Sequence, residues 1–378
     1  MKSLMQHLRS RRTIFTILTV LVLVIIGGVL FIELNTSAAA TFTDEILRPL
    51  IGDARVIALE KLFFNTTDTI NRLKYKVSTP QDPFLHPSGT PIPASAANSS
   101  NLDLSVVQTA ALMPIMGEGE WNDIPLDLFP GKVVVADTFI RPDPARSYAF
   151  VTLVQMDMSK LRLWSVAGTK EPGGQVGKPG PGIIPPDIQR AGRLVAAFDG
   201  GFQYRDGQYG MIVGDTTYLP LKNDLATLVG HADGRIEIVD YTGQSLGNDV
   251  IFVRQNCPML VEHGVVESKD DVNRALWGRT ITSDIYTWRS GIGITAKGNL
   301  LFAVGNALVP STLATALKAA GAVDAMQLDI NPNWVRFNVF DHYSSAGYSS
   351  APIMQGIRDG SQSYLHGYNK DFFYLTAN

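Results

Sequence analysis

Two aspartates in this chain stand where carboxylates do chemistry, each at the end of an apolar run. Asp199 follows Leu194–Phe198 and precedes Gly200, Gly201 and Phe202, while Asp329 follows Ala325–Leu328 and precedes Ile330-Asn331-Pro332-Asn333-Trp334. In open α/β sheets, clefts tend to lie beyond the carboxyl ends of the strands. Gly200 and Gly201 would let a ligand come close to the main chain, and Asn331 and Trp334 would rim a site for a polar molecule. The plainer alternative makes both aspartates turn formers bonded to nearby backbone. Two arginines offer a second chemistry, because a planar guanidinium fork suits an anion. They are Arg289, in Arg289-Ser290-Gly291-Ile292-Gly293, and Arg254, in Arg254-Gln255-Asn256-Cys257. Arg254 and Asn256 sit within the apolar stretch Ile251–Val261, where their polar groups need partners.

The elements that would position these residues follow from periodicity. Leu300–Val304 reads as a strand, and Pro310 and Ser311 open a helix with Leu313, Ala316, Leu317 and Ala320 on one face. Gly321 closes it, and the second strand ends on Asp329, which completes a crossover unit. Arg289–Ile294 would form a hairpin with Leu300–Val304 across the turn Ala296–Asn299. Further strands are expected at Lys132–Phe139, Tyr148–Asp157, Leu161–Ala167, Leu194–Phe198, Arg235–Asp240 and the closing Tyr368–Leu375, with a short helix at Asp187–Ala191. The long Gly- and Pro-rich loop Thr169–Pro186 is of a length often tied to function. The fold class expected is α+β, a mixed twisted β-sheet core with flanking helices.

Composition removes several function classes. A net charge of -3 leaves no basic footprint for nucleic acid. The single cysteine, Cys257, rules out an internal disulfide and a cysteine zinc site; it reads as a small buried hydrophobe, and as a nucleophile only if His231 or His263 folds against it. The six histidines form no H-E-x-x-H pair, and no G-x-x-x-x-G-K run occurs. Asp329-x-Asn331-x-Asn333 imitates the start of a calcium loop without its glycine or distal glutamate, so no cofactor is expected beyond a weak case for a divalent cation.

The amino terminus carries an address. Lys2, Arg9, Arg11 and Arg12 precede the uncharged run Thr13–Ile32, long enough to cross a bilayer as a helix. The basic flank would stay in the cytoplasm, which makes the chain a single-pass membrane protein with an extracytoplasmic domain. A cleaved signal peptide ending near Ala38-Ala39-Ala40 is the alternative, against which the apolar run is long. The expected order is a basic tail (1–12), a transmembrane helix (13–32), a helical stalk (43–77), a Pro/Ser-rich linker (78–102) and one large domain (103–378). The oligomeric state is left open by the sequence.

The sequence of motifs, D-G-G-F at Asp199, R-S-G-I-G at Arg289 and L-D at Asp329, resembles the phosphodiester glycosidase family over roughly Lys132–Leu375. This is the family of the animal enzyme that removes N-acetylglucosamine from a phosphodiester on mannose. Its members show N-G-G-F, R-T-A-I-G and L-D-G-G-G-S at these points. In this chain Ile330-Asn331-Pro332-Asn333-Trp334 replaces the last glycine-rich loop and the backbone donors such a loop offers to phosphate. The resemblance implies hydrolysis of a sugar-1-phosphodiester, in an extracytoplasmic setting such as a cell-envelope glycan or glycopolymer. Asp329 and Asp199 would be the carboxyl pair that glycoside hydrolysis uses, with Arg289 and Arg254 on the phosphate, and Gly200, Gly201, Asn256, Asn331 and Trp334 lining the substrate. A second expectation is an inactive carbohydrate-binding or envelope-organising module of the same fold, with Trp277, Trp288, Trp334 and Tyr286 as stacking faces.

Overall fold

The computed structural model describes residues 100–108, 115–174, 176–267, 273–278, 286–344 and 347–378, preceded by short pieces at 50, 66, 68–76, 78, 83–84 and 90–92. The basic tail, the Thr13–Ile32 run and most of the expected stalk and linker lie outside the described residues. Among those described, residues 68–74 are helical and no helix is long and apolar enough to cross a membrane. By its contacts the chain divides into two units. One, Met1–Asp68 with Ile281–Asp284, falls almost wholly outside the described residues; the fold is that of the other, Thr69–Thr280 with Ile285–Asn378.

That unit is mostly β. Its strands form sheets of nine, five and five members. The centre of the nine-stranded sheet runs, edge to edge, through β1 (Val135–Ile140), β2 (Val151–Met156), β9 (Leu300–Leu308), β8 (Thr287–Thr295), β10 (Ala322–Ile330) and β7 (Met259–Glu262). A second sheet holds β5 (Leu225–His231) beside β6 (Val250–Gln255). In the third, β11 (Phe337–Ser344), β4 (Leu194–Asp199), β12 (Phe372–Ala377) and β3 (Leu161–Val166) are successive neighbours.

The expectation of a mixed sheet is corrected, since the neighbouring strands of these sheets pair antiparallel. Strands such as β1, β2 and β4 are buried at every position; β4 reads as the continuous apolar run Leu194–Phe198, a pattern that parallel strands share. The crossover unit itself is present. β9 and β10 each pair antiparallel with β8, on its two sides, so they run parallel to one another with β8 between them. The connecting helix α1 (Pro310–Ala319) starts on a proline, which loses no needed donor there. Leu313, Ala316 and Leu317 are buried against the sheet, and Gly321 leaves the helix at φ +97°.

The apolar stretch Ile251–Val261 is two strands in two sheets. They are separated at Asn256-Cys257-Pro258, where Cys257 takes φ +50°. The core is pinned by phenylalanines from four strands: Phe198 stacks on Phe337 at 5.7 Å, Phe337 meets Phe302 at 4.7 Å, and Phe198 meets Phe373 at 5.5 Å. Each such pair adds about 0.5–1.5 kcal/mol beyond its buried area. The cluster fixes the sheet that ends in Asp199 against the sheet that carries Asp329.

Candidate active site

Alternation along each strand decides what the two aspartates meet. Phe198 and Leu328 go into the shared core, and the next residue of each strand faces away from it. On β10 a bulge assists, because Arg289 and Gly291 of β8 oppose Ile330 and Gln327, which leaves one extra residue on β10 next to Asp329. Bulges commonly re-aim a side chain beside a functional site.

Asp199 and Asp329 do come together, and Ser290 of β8 joins them. The Ser290 hydroxyl lies 2.6 Å from Asp199 Oδ2 and accepts the Asp329 N–H at 3.0 Å. Asp199 Oδ2 also accepts the Asp329 N–H at 3.3 Å, and its Oδ1 accepts the Arg336 N–H at 2.9 Å. Burial pushes the Asp199 carboxyl up to about 7, with the neighbouring Asp329 charge adding to the rise. Asp329 Oδ1 accepts the N–H of Ile330 at 2.8 Å, and Oδ2 pairs with the Lys370 ammonium, which also lies 4.7 Å from the centre of the Trp334 ring. Burial pushes the Asp329 carboxyl up to about 6 against the opposing pull of Lys370. Asp329 is 3% exposed and Lys370 1%, so Lys370 and the half-buried Trp334 cover the carboxylate.

Four expected substrate contacts are corrected. Arg254, expected to meet phosphate, is fully buried and makes all its donations inside the protein. Its Nε and Nη2 clasp Asp371 at 2.8 and 3.1 Å, Nη2 also donates to Phe202 O, and Nη1 donates to Gln255 O and Tyr209 O. Five donors meet acceptors, which is the full capacity of a guanidinium. Gly200 and Gly201 make room for this hub and not for a ligand: a Cβ on Gly200 would stand 2.1 Å from Asp371 Oδ2, and one on Gly201 2.6 Å from Arg254 Nη2. Gly201 N–H donates to Asp371 at 3.0 Å. Asn256 is likewise internal, its Oδ1 accepting Phe202 N–H and its Nδ2 donating to the carbonyls of Gln327 and Leu328.

Arg289 turns to the carbonyl of Leu308 at 2.9 Å and to Gln327 Oε1 at 2.8 Å, and is 2% exposed. Gln327 in turn lies beside Cys257, a thiol pushed up to about 12 by burial and therefore inert. Asn331 holds φ +77° and donates its N–H to Trp288 O, shaping the turn that carries Trp334. Of the other aromatic faces, Trp277 is buried in one core cluster and Trp288 packs against another, while Tyr286 lies under the Arg146 guanidinium at 3.7 Å. Among the described residues no set of three or more His, Cys, Asp or Glu could hold a metal ion.

Sequence reading missed Ser290's link, Lys370, Asp371, Arg336, Tyr364 and Tyr368. A signal was present in two of these cases. Lys370-Asp371 is a charged pair abutting the apolar run Phe372–Leu375, and Arg336 stands between Val335 and Phe337; charges so placed are buried and need partners.

Residues 192–329 match the phosphodiester glycosidase family. No curated protein matches the sequence. Among solved structures, the catalytic domain of zebrafish N-acetylglucosamine-1-phosphodiester alpha-N-acetylglucosaminidase, auto-inhibited by its pro-peptide, is similar at 11% identity, covering 79% of this chain and 97% of that one with a TM-score of 0.40. A hypothetical protein from Synechocystis is similar at 12% identity, over 66% of this chain and 63% of that one, TM-score 0.34. A putative exported protein from Burkholderia pseudomallei is similar at 12% identity, over 60% and 74%, TM-score 0.26. The family match takes in Asp199, Arg254, Arg289 and Ser290 and stops before Arg336 and Lys370. The resemblance read from the motifs is thus borne out for residues 192–329, which match the phosphodiester glycosidase family and end on Asp329.

Proposed function

We propose that this chain hydrolyses a sugar-1-phosphodiester, with Asp329 as the working carboxylate. The observation that carries the reading is the paired burial of Asp199 and Asp329 around Ser290, within the stretch that matches the family. Asp199 has both oxygens tied to Ser290 and to backbone N–H groups, which suits a residue that holds the site together. Asp329 has one oxygen on a side-chain ammonium, that of Lys370, which a substrate would displace. In the reaction, a water oxygen forms a bond to the anomeric carbon and gives its proton to Asp329. The bond from that carbon to the bridging oxygen breaks, and its electron pair leaves with the phosphate. A phosphate is already a good leaving group, so no strong acid is needed behind it. Lys370 would pass from Asp329 to the departing oxygens, where a charge-assisted hydrogen bond is strongest.

Asp329 at 3% exposure cannot touch a sugar until Lys370 and the Trp334 turn move aside. The same observation favours the second reading, a carbohydrate-binding module without turnover. The basic residues ahead of the Thr13–Ile32 run support a membrane-tethered, extracytoplasmic setting and an envelope glycan or glycopolymer as substrate. The two readings part when the full chain is given a panel of sugar-1-phosphodiesters in heavy-oxygen water. Hydrolysis as written puts the label in the free sugar; label in the phosphate, or no sugar released from any member, would refute it.

A further inference from the structure

Arg336 has a charge without a counter-charge. It is 7% exposed, its Nε has no hydrogen-bond partner, and its other nitrogens reach Ser363 Oγ and Asn333 O only at 3.5 Å, the outer limit of a hydrogen bond. Asp199 takes the backbone N–H of Arg336, and no carboxylate among the described residues pairs with the guanidinium. A buried charge without a counter-charge is strongly unfavourable, and the face of the Tyr368 ring offsets only part of that cost.

Two buried phenols stand beside it in the same condition. Tyr364, from α2 (Ser361–His366), and Tyr368 are 0% and 8% exposed, and neither hydroxyl has a partner. Buried hydroxyls are normally satisfied. The Tyr368 ring lies 4.7 Å from the Arg336 guanidinium and 5.5 Å from the Tyr364 ring. Both phenols are close enough to Asp199, Asp329 and Arg336 to feel their charges, and burial holds both well above the ordinary tyrosine range, so they remain donors. The cluster therefore has donors in excess of its one unpartnered acceptor, Asn333 Oδ1: one guanidinium, two phenols and, on the Asp329 side, the Lys370 ammonium.

We infer that Arg336, Tyr364 and Tyr368, with Lys370, form the seat for the non-bridging oxygens of a phosphodiester monoanion. The choice of a phosphodiester rests on the proposed hydrolysis; the need for an anion rests on the unmatched donors alone. The charge count agrees. With Asp199 carrying its proton, Arg336 and Lys370 face only Asp329, and one further negative charge balances the cluster.

The test is titration of the full chain with dimethyl phosphate, followed by the phosphorus resonance, for wild type, Tyr364→Phe, Tyr368→Phe, the double variant and Arg336→Lys. Each lost hydroxyl is expected to weaken binding about tenfold, as for a hydrogen bond to a charged group, and Arg336→Lys by at least as much. Because the hydroxyls bond nothing in the free protein, the two phenylalanine variants are expected to melt no lower than wild type. Failure of wild type to bind dimethyl phosphate, or equal binding by all variants, overturns the seat. Sugar release is scored separately. Binding that depends on Arg336 and the tyrosines without any turnover keeps the seat and removes the hydrolase; turnover whose KM is the same in every variant keeps the hydrolase and removes the seat.

Discussion

Lys370 and Asp371 are chain neighbours, and each takes part in a buried ion pair of a different kind. The Asp371–Arg254 pair is closed. Every guanidinium proton has an acceptor, and Asp371 receives a further backbone N–H. One residue earlier, the Lys370–Asp329 pair lies near a cluster of buried groups, Arg336 Nε, Tyr364 OH, Tyr368 OH and Asn333 Oδ1, that all lack hydrogen-bond partners. Buried polar networks rigidify a fold when complete, and an incomplete one is expensive. The contrast separates scaffold from site better than residue type does, since arginines and aspartates occur in both. It also links them: the closed hub anchors residue 371 and so holds Lys370 against Asp329.

The comparison can be broken from the scaffold side first, where the effect should be largest. Arg254→Met leaves Asp371 buried and unpaired, which should lower stability by about 3–5 kcal/mol; a denaturant titration that moves by less than about 1 kcal/mol would return Arg254 to the list of ligand-binding residues. A pH effect of somewhat smaller size belongs to Asp199. It keeps its proton in the fold to about pH 7 and in the unfolded chain only to about pH 4. Between those values the native state binds more protons, so stability falls as pH rises, by on the order of 3 kcal/mol over the two units from pH 5 to pH 7. Melting curves between pH 5 and pH 8 should show the slope, to which Asp329 adds below about pH 6, and Asp199→Asn should flatten it above that value. Smaller again is Gly201→Ala, whose methyl would press on the Arg254 guanidinium and should cost about 1–3 kcal/mol without changing affinity for dimethyl phosphate. Were affinity to fall with it, the hub and the Arg336 cluster would be one site and not two.

The strands around Asp199 and Asp329 were legible because continuous apolar runs, Leu194–Phe198 and Ala325–Leu328, end abruptly on a carboxylate. The hairpin at Arg289 and helix α1 were legible through their turn, proline and glycine signals. What sequence could not give was the partner of each charge. Arg254 and Arg289 looked like anion binders because Asp371 and Gln327, 117 and 38 residues away, meet them only in three dimensions. Gly200 and Gly201 signalled a close approach correctly, but the approaching group was Arg254–Asp371. The hairpin of β11 with Gly347–Pro352, and the Tyr364–Lys370 segment it leads to, carry no motif; their role depends on unpartnered atoms, which sequence does not display.

The central claim is that Asp329, beneath Lys370 and Trp334, is where a sugar phosphodiester is broken. It is tested most directly by the rate at which the full chain releases sugar from a sugar-1-phosphodiester, measured for wild type and Asp329→Asn. Removal of a proton-accepting group should lower the rate about 10²–10⁴-fold, and the wild-type rate should fall as pH drops through about 6, where Asp329 takes up its proton. An Asp329→Asn chain that turns over at the wild-type rate would contradict the account.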